Sequence, residues 1–192
     1  MCKYNHLTCN KIKEEGGNSN GNAGICPLMK YNKYAISKRT SQKIIIDTVM
    51  ICILGKEISG RYVNQYNISA GRGESDCYIE TAIREFNEEF HIYLDLNLFY
   101  KYCVKNGYLR YILHKTTPVF IIELPYELKR IELNNNIDKY QNINIPFQYR
   151  EIVNLDFFTL DGKKLDNKIN KYPVEISSFA TAILSKINID ML

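Results

Sequence analysis

One stretch constrains this chain more than any other: "GRGESDCYIETAIREFNEEFHI", residues 71–92. Ile79, Ala82, Ile83, Phe86 and Phe90 recur at i, i+3, i+4, i+7 and i+11. At ~100° per residue they fall within a roughly 100° arc, which predicts an amphipathic helix over 76–90. Ser75 or Asp76 is placed to cap its N-terminus. Glu85, Glu88 and Glu89 fall together on the opposite side. Like charges three and four apart repel by a few tenths of a kcal/mol per pair. A solvated acidic face is the ordinary explanation of such a patch. Three features point instead to a bound cation. Arg84 adjoins the carboxylates and can hold one by paired hydrogen bonds. The preceding loop carries Gly71 and Gly73, which let backbone approach a ligand closely. Finally, an all-oxygen carboxylate set suits Mg²⁺ or Mn²⁺.

The rest of the chain supplies a mixed set of elements. "GICPLMKYNKYAISKR" (24–39) reads as two strands turning at Tyr31–Asn32. "TSQKIIIDTVMICILGKEISG" (40–60) is apolar and ends in glycines, and periodicity leaves it open between buried helix and strand. "RYVNQYNISAGRG" (61–73) reads as a strand entering the glycine loop. "LFYKYCVKNGYLRYILHKTTPVFIIELP" (98–125) suggests a hairpin turning at Asn106–Gly107, followed by a buried strand at 119–124. "ELNNNIDKYQNINIP" is a polar connection, and "REIVNLDFFTLDG" (150–162) is a strand ending in a turn. "PVEISSFATAILSKI" (173–187) reads as a C-terminal helix started by Pro173. Helices and strands alternating irregularly imply one α/β (α+β) domain with helices packed on a sheet.

At 192 residues the chain suits a single domain with a sizeable core. No apolar run approaches the ~20 residues needed to span a bilayer, and "MCKYNHLTCN" lacks the apolar centre of a signal peptide. Both imply an intracellular protein, in the cytoplasm and off the membrane, whose six cysteines stay as free thiols. The polar segment 1–23 reads as flexible. It carries Cys2, His6 and Cys9, with Cys26 beyond, at a spacing that matches no familiar zinc site. The net charge of +4 permits an anionic partner without identifying one.

The stretch Ala70–Ile92 resembles the Nudix hydrolase box, G-x5-E-x7-R-E-U-x-E-E-x-G-U, with U a bulky apolar residue. Arg84, Glu85, Phe86, Glu88, Glu89 and Ile92 match in register. Ala70 stands at the first glycine, Asp76 at the first glutamate and His91 at the last glycine, so an altered helix exit is expected. The resemblance implies a Nudix-type mixed sheet sandwiched between helices, with a catalytic loop–helix–loop at about 68–92. It extends more weakly over 24–187, as a Nudix domain spanning 24–192 with an insertion at about 40–60. That insertion resembles one in the poxvirus Nudix decapping enzymes, and "ETAIREFNEE" resembles Nudix proteins of insect large DNA viruses.

On this resemblance Glu85, Glu88 and Glu89 hold Mg²⁺ or Mn²⁺, and Glu151 is a further metal ligand or base. Arg84 orients the glutamates with Asp76 as its partner, and Gly71 and Gly73 form the loop beside the substrate phosphates. The implied activity is metal-dependent hydrolysis of a nucleoside diphosphate linked to another group. The first candidate substrate is capped mRNA, cleaved to m7GDP and 5′-monophosphate RNA, with Arg61, Lys101, Lys105 and Arg110 as candidate phosphate contacts. The alternatives are a housecleaning nucleotide pyrophosphatase, a diphosphoinositol polyphosphate phosphohydrolase, or a catalytically silent binding module of the same fold.

Overall fold

The computed structural model describes residues 6–37, 39–74, 77–125, 130–142, 144–165 and 175–187. In chain order the elements are α1 (His6–Glu14), β1 (Ala23–Ile36), β2 (Lys43–Glu57), β3 (Tyr66–Asn67), β4 (Ser69–Gly71), α2 (Tyr78–Phe90) and α3 (Leu96–Cys103). They continue with β5 (Val104–Lys105), β6 (Tyr108–Leu109), β7 (Tyr111–His114), β8 (Thr117–Leu124), α4 (Arg130–Tyr140), β9 (Ile152–Thr159) and α5 (Ser178–Leu184). Seven strands form one mixed sheet in the order β3-β2-β1-β8-β7, with β4 added to β1 and β9 to β2. The β1–β8 pair is parallel and the others are antiparallel.

The centre of the sheet is buried on both faces, and this resolves the segment 40–60 as strand. Successive side chains of a strand point to opposite faces. Ile51 and Ile53 accordingly join a core with α1, α2, α3 and α4, whereas Cys52 and Leu54 join a second core under α5. Phe120 and Ile122 divide from Val119 and Ile121 in the same way, and Phe157 from Phe158. A strand covered on both sides reads as a continuous apolar run, which hides its period. The result is a mixed sheet flanked by helices, as expected.

Several local expectations change. β1 runs through Tyr31–Asn32 without turning, because Tyr31 pairs with Val49 and Asn32 with Thr48 across the ribbon; the turn lies beyond Ile36. The start of the 98–125 segment is helix α3, capped by Asp95, whose carboxylate accepts the Leu98 N–H at 2.8 Å. The turn at Asn106–Gly107 is as expected, with both residues at positive φ (52° and 80°). The polar stretch near 130–140 is helix α4, held on the core by Leu133 and Ile137 one turn apart. α5 begins later than expected. Its cap is Ser177, whose Oγ accepts the Ala180 N–H at 3.0 Å, and Pro173 lies outside the described residues. Before β1 the composition suggests no order, yet α1 forms because Cys9 and Ile12 are buried against α2.

Cys9 and Cys26 sit in cores on opposite faces of the sheet, so they do not converge on one metal; Cys2 lies outside the described residues. Cys9, Cys26, Cys52 and Cys103 are free and buried, but Cys77 is disulfide-bonded, which corrects the expectation of free thiols throughout. Among the described residues, no helix is long and apolar enough to cross a membrane.

Candidate active site

α2 forms as its periodicity predicts. Ile79, Ala82, Phe86 and Phe90 are fully buried against the sheet, with Ile83 packed at the margin. Its N-cap is Cys77, in extended conformation; Ser75 and Asp76 lie outside the described residues, and with them the proposed Asp76–Arg84 pairing. The buried stripe fixes the helix rotation and so turns the carboxylates toward β4 and the end of β2.

Arg84 organises this face. Its guanidinium donates to Glu88 at 2.8 Å, to Glu85 at 2.5 Å and to the Arg72 carbonyl at 2.7 Å. One side chain thus ties two glutamates to the loop after β4. Gly71 is where that loop meets the helix. A Cβ at this position would lie 2.0 Å from the Glu85 carboxyl carbon and 2.2 Å from each of its oxygens, so only glycine leaves room for the carboxylate. Gly73 has its own close contacts. A Cβ there would lie 2.2 Å from the Asn20 carbonyl, and its N–H donates to Asn22. It packs the loop onto residues 20–22, of which Asn22 lines the cleft described next.

A cleft of about 460 Å³ opens beside the helix. Glu89 enters it from α2, Glu57 from the end of β2 and Glu151 from the approach to β9; Arg61, Tyr62, Gly71 and Arg72 complete its rim. These carboxylates perturb one another. Burial pushes Glu89 well above the ordinary carboxylate range, and the neighbouring charges of Glu85, Glu151 and Glu57 push it further. The Ser69 hydroxyl opposes this by favouring the charged form, though it falls short of full hydrogen-bond geometry. Glu151 is raised by burial and then by Glu57 and Glu88. Burial also raises Glu57, opposed by the hydrogen bond it accepts from Asn67 at 2.6 Å. Glu85 is raised by burial despite the opposing Arg84.

Glu57 is the cleft carboxylate that sequence reasoning missed. It sits 14 residues before Gly71 (71 − 57), and the β2–β3 and β2–β9 pairings bring it to the cleft. The available signal was a glutamate at the mouth of a glycine-bounded apolar strand. Of the candidate phosphate contacts, Arg61 does reach this cleft. Lys101, Lys105 and Arg110 line another cavity of about 500 Å³ with Lys30. Arg110 is a poor phosphate contact, because it is 9% exposed and already donates to the Cys103 and Tyr102 carbonyls.

His91 ends α2 in the left-handed conformation, φ 52° and ψ 30°, that usually favours glycine. The helix exit therefore keeps the geometry a glycine would give. A carbonyl can only accept, so Nε2 of His91 carries the proton in its 2.9 Å bond to the Tyr149 carbonyl. Burial lowers the imidazole pKa, which favours this neutral form.

The fold is thus a mixed sheet between helices, with a carboxylate-bearing helix and a glycine loop at one end of a polar cleft. No protein-family model matches the chain, and no curated protein matches it. Solved structures of MutT/Nudix proteins are similar to it. A MutT Nudix hydrolase from Burkholderia pseudomallei aligns at 12% identity and TM-score 0.41, over 84% of this chain and 98% of that one. A mutT/nudix family protein from Listeria innocua aligns at 9% identity and TM-score 0.37, over 72% and 77%. One from Enterococcus faecalis aligns at 8% identity and TM-score 0.43, over 95% and 68%.

Proposed function

We propose that the chain is a Nudix-type hydrolase that cleaves the diphosphate of a nucleoside-diphosphate-linked substrate with the help of Mg²⁺ or Mn²⁺. The observation that carries this reading is the convergence of Glu57, Glu89 and Glu151, from three separate parts of the chain, on one cleft beside the Arg84-bound pair Glu85 and Glu88. The donor set fits a hard divalent cation, because it consists of carboxylate oxygens whose pKa values are raised by burial and then further by one another's charge. Among the described residues no three of these groups are already arranged to hold one metal ion. Glu85, Glu88 and Glu89 would hold the cation, with Glu151 and Glu57 as outlying ligands. A bound cation supplies charge neutralisation to the diphosphate and makes an adjacent water more acidic.

The chain's own groups supply the rest. Arg84 holds Glu85 and Glu88 in fixed orientation, which preorganises the charge that the substrate meets. Arg61 and Arg72 stand at the mouth, where a diphosphate would enter, and Tyr62 offers a ring beside Arg61. Carboxylates with raised pKa values are suited to accept a proton from water near neutral pH.

The finer reading is hydrolysis of the mRNA cap, in a viral setting and in the cytoplasm. It is supported by the resemblance of 40–60 and of "ETAIREFNEE" to viral Nudix proteins. The second reading is a free nucleotide derivative such as ADP-ribose, and the size of the cleft favours it: about 460 Å³ fits one small ligand. The test is a panel of cap-labelled RNA, ADP-ribose, nucleoside triphosphates and diphosphoinositol phosphates, each with Mg²⁺ or Mn²⁺. Release of m7GDP from long RNA in preference to the other reactions supports decapping. Absence of turnover on every diphosphate would refute the hydrolase reading.

A further inference from the structure

Glu151 does not belong to the catalytic helix or to a regular strand, yet it lines the cleft opposite Glu89. Its position depends on what fixes the segment 149–152. Two hydrogen bonds from the ends of α2 and α4 do so, and a ring stack ties those two ends together. His91, the residue that ends α2, donates from Nε2 to the Tyr149 carbonyl at 2.9 Å. The same imidazole stacks on Tyr140 at the end of α4, with ring centroids 3.8 Å apart and planes 9° from parallel. Gln141, the next residue, donates from Nε2 to the Ile152 carbonyl at 2.7 Å. About two turns earlier, the Asn134 amide exchanges two hydrogen bonds with the Leu155 backbone, at 2.7 and 2.9 Å, in the manner of a neighbouring strand. On the other side the Glu151 carbonyl accepts the Ile58 N–H at 3.0 Å, directly after Glu57.

Two features of this arrangement need a cause. His91 holds a backbone conformation that a histidine adopts only at some cost. The polar helix α4 presents its amides to β9 and its last ring to α2. Both are accounted for if the end of α2, α4 and the approach to β9 form one brace. We propose that His91 is a positioning residue: together with Tyr140 and Gln141 it clamps residues 149–152, and thereby sets Glu151 against the carboxylates of α2. This inference rests on the hydrolase reading for its functional consequence. Its structural content, the clamp itself, stands apart from any activity.

The test uses the full chain, with the variants His91→Phe and His91→Gly. Phenylalanine keeps a ring for stacking and loses the donor; glycine loses both and relieves the left-handed backbone. Hydrogen–deuterium exchange of the apo protein is read over 147–154. Both variants should exchange at least about tenfold faster there, while His91→Gly melts no lower than wild type. In turnover, kcat should fall by roughly tenfold or more with KM little changed, since a small displacement of a reacting group costs rate rather than binding. The decisive arm repeats the substitution in a Glu151→Gln background. If His91 acts through Glu151, the second change adds almost nothing to the loss. Unchanged exchange over 147–154 in both variants would overturn the clamp. An undiminished further loss in the Glu151→Gln background would overturn its action through Glu151. A wild type inactive on every diphosphate would overturn the hydrolase reading and leave the exchange result to decide the clamp.

Discussion

Gly71→Ala isolates the geometry of the site from its stability. Gly71 has no left-handed backbone angle, so alanine meets no backbone strain there. Its new Cβ would lie 2.0 Å from the Glu85 carboxyl carbon, whereas ordinary contact begins at 3.4 Å. The difference, 3.4 − 2.0, means the carboxylate must retreat by about 1.4 Å. It cannot do so while bonded to Arg84 at 2.5 Å, since Arg84 is itself held by Glu88 and the Arg72 carbonyl. The effect on stability is small. Loss of a partly exposed ion pair costs roughly 0.2–1 kcal/mol. Removing a glycine from the unfolded chain returns about 0.4–1 kcal/mol. The melting temperature should stay within about 4 °C of wild type. Rate is another matter, because a misplacement of ~1 Å in a catalytic constellation costs on the order of a hundredfold. The assay is a melting curve of the apo protein alongside kcat/KM on the best substrate of the panel. Activity within about threefold of wild type, with Glu85 displaced, would refute the claim that its position matters.

Three further outcomes follow from the same site. Glu57, Glu85, Glu89 and Glu151 all have folded pKa values above their ordinary 4.5. The native state therefore holds more protons than the unfolded state, and stability falls as pH rises from 4.5 through the raised values. The apo protein should melt higher near pH 5.5 than near pH 8, apart from other groups, and saturating Mg²⁺ should flatten that slope; a slope of opposite sign that Glu89→Gln leaves unchanged would contradict it. If the substrate is long RNA, its cleavage should weaken steeply between 50 and 200 mM salt (about the range over which phosphate contacts are screened), while that of a small nucleotide should not. An equal salt response for both would count against decapping.

How much of this was legible in the sequence varies by element for physical reasons. α2 was readable because five apolar residues at helical spacing leave one solution, and the carboxylates follow from it. The Asn106–Gly107 turn was readable because both residues tolerate positive φ. The continuation of β1 through Tyr31–Asn32 was not, since pairs such as Lys33 with Asp47 are set by a strand fourteen residues away. Among the described side chains, Leu133 and Ile137 are the residues α4 contributes to the core, too short an apolar pattern to outweigh "NNN". α3 had a signal that was overlooked: Asp95 as cap, then Phe99 and Cys103 one turn apart on the buried side. Glu57 and the brace around His91 depend on strand pairing and on aromatic stacking between distant segments, which periodicity does not record.

The most direct test of the central claim is Glu89→Gln, measured by melting with and without Mg²⁺ and by turnover. Glu89 is half-buried beside Glu85, Glu151 and Glu57, so removing its charge relieves repulsion and should leave the apo protein as stable as wild type or more so. The account predicts that Mg²⁺ raises the wild-type melting temperature, that the variant loses most of this shift, and that hydrolysis falls by on the order of a hundredfold or more. Full activity in Glu89→Gln with an unchanged Mg²⁺ shift would contradict it.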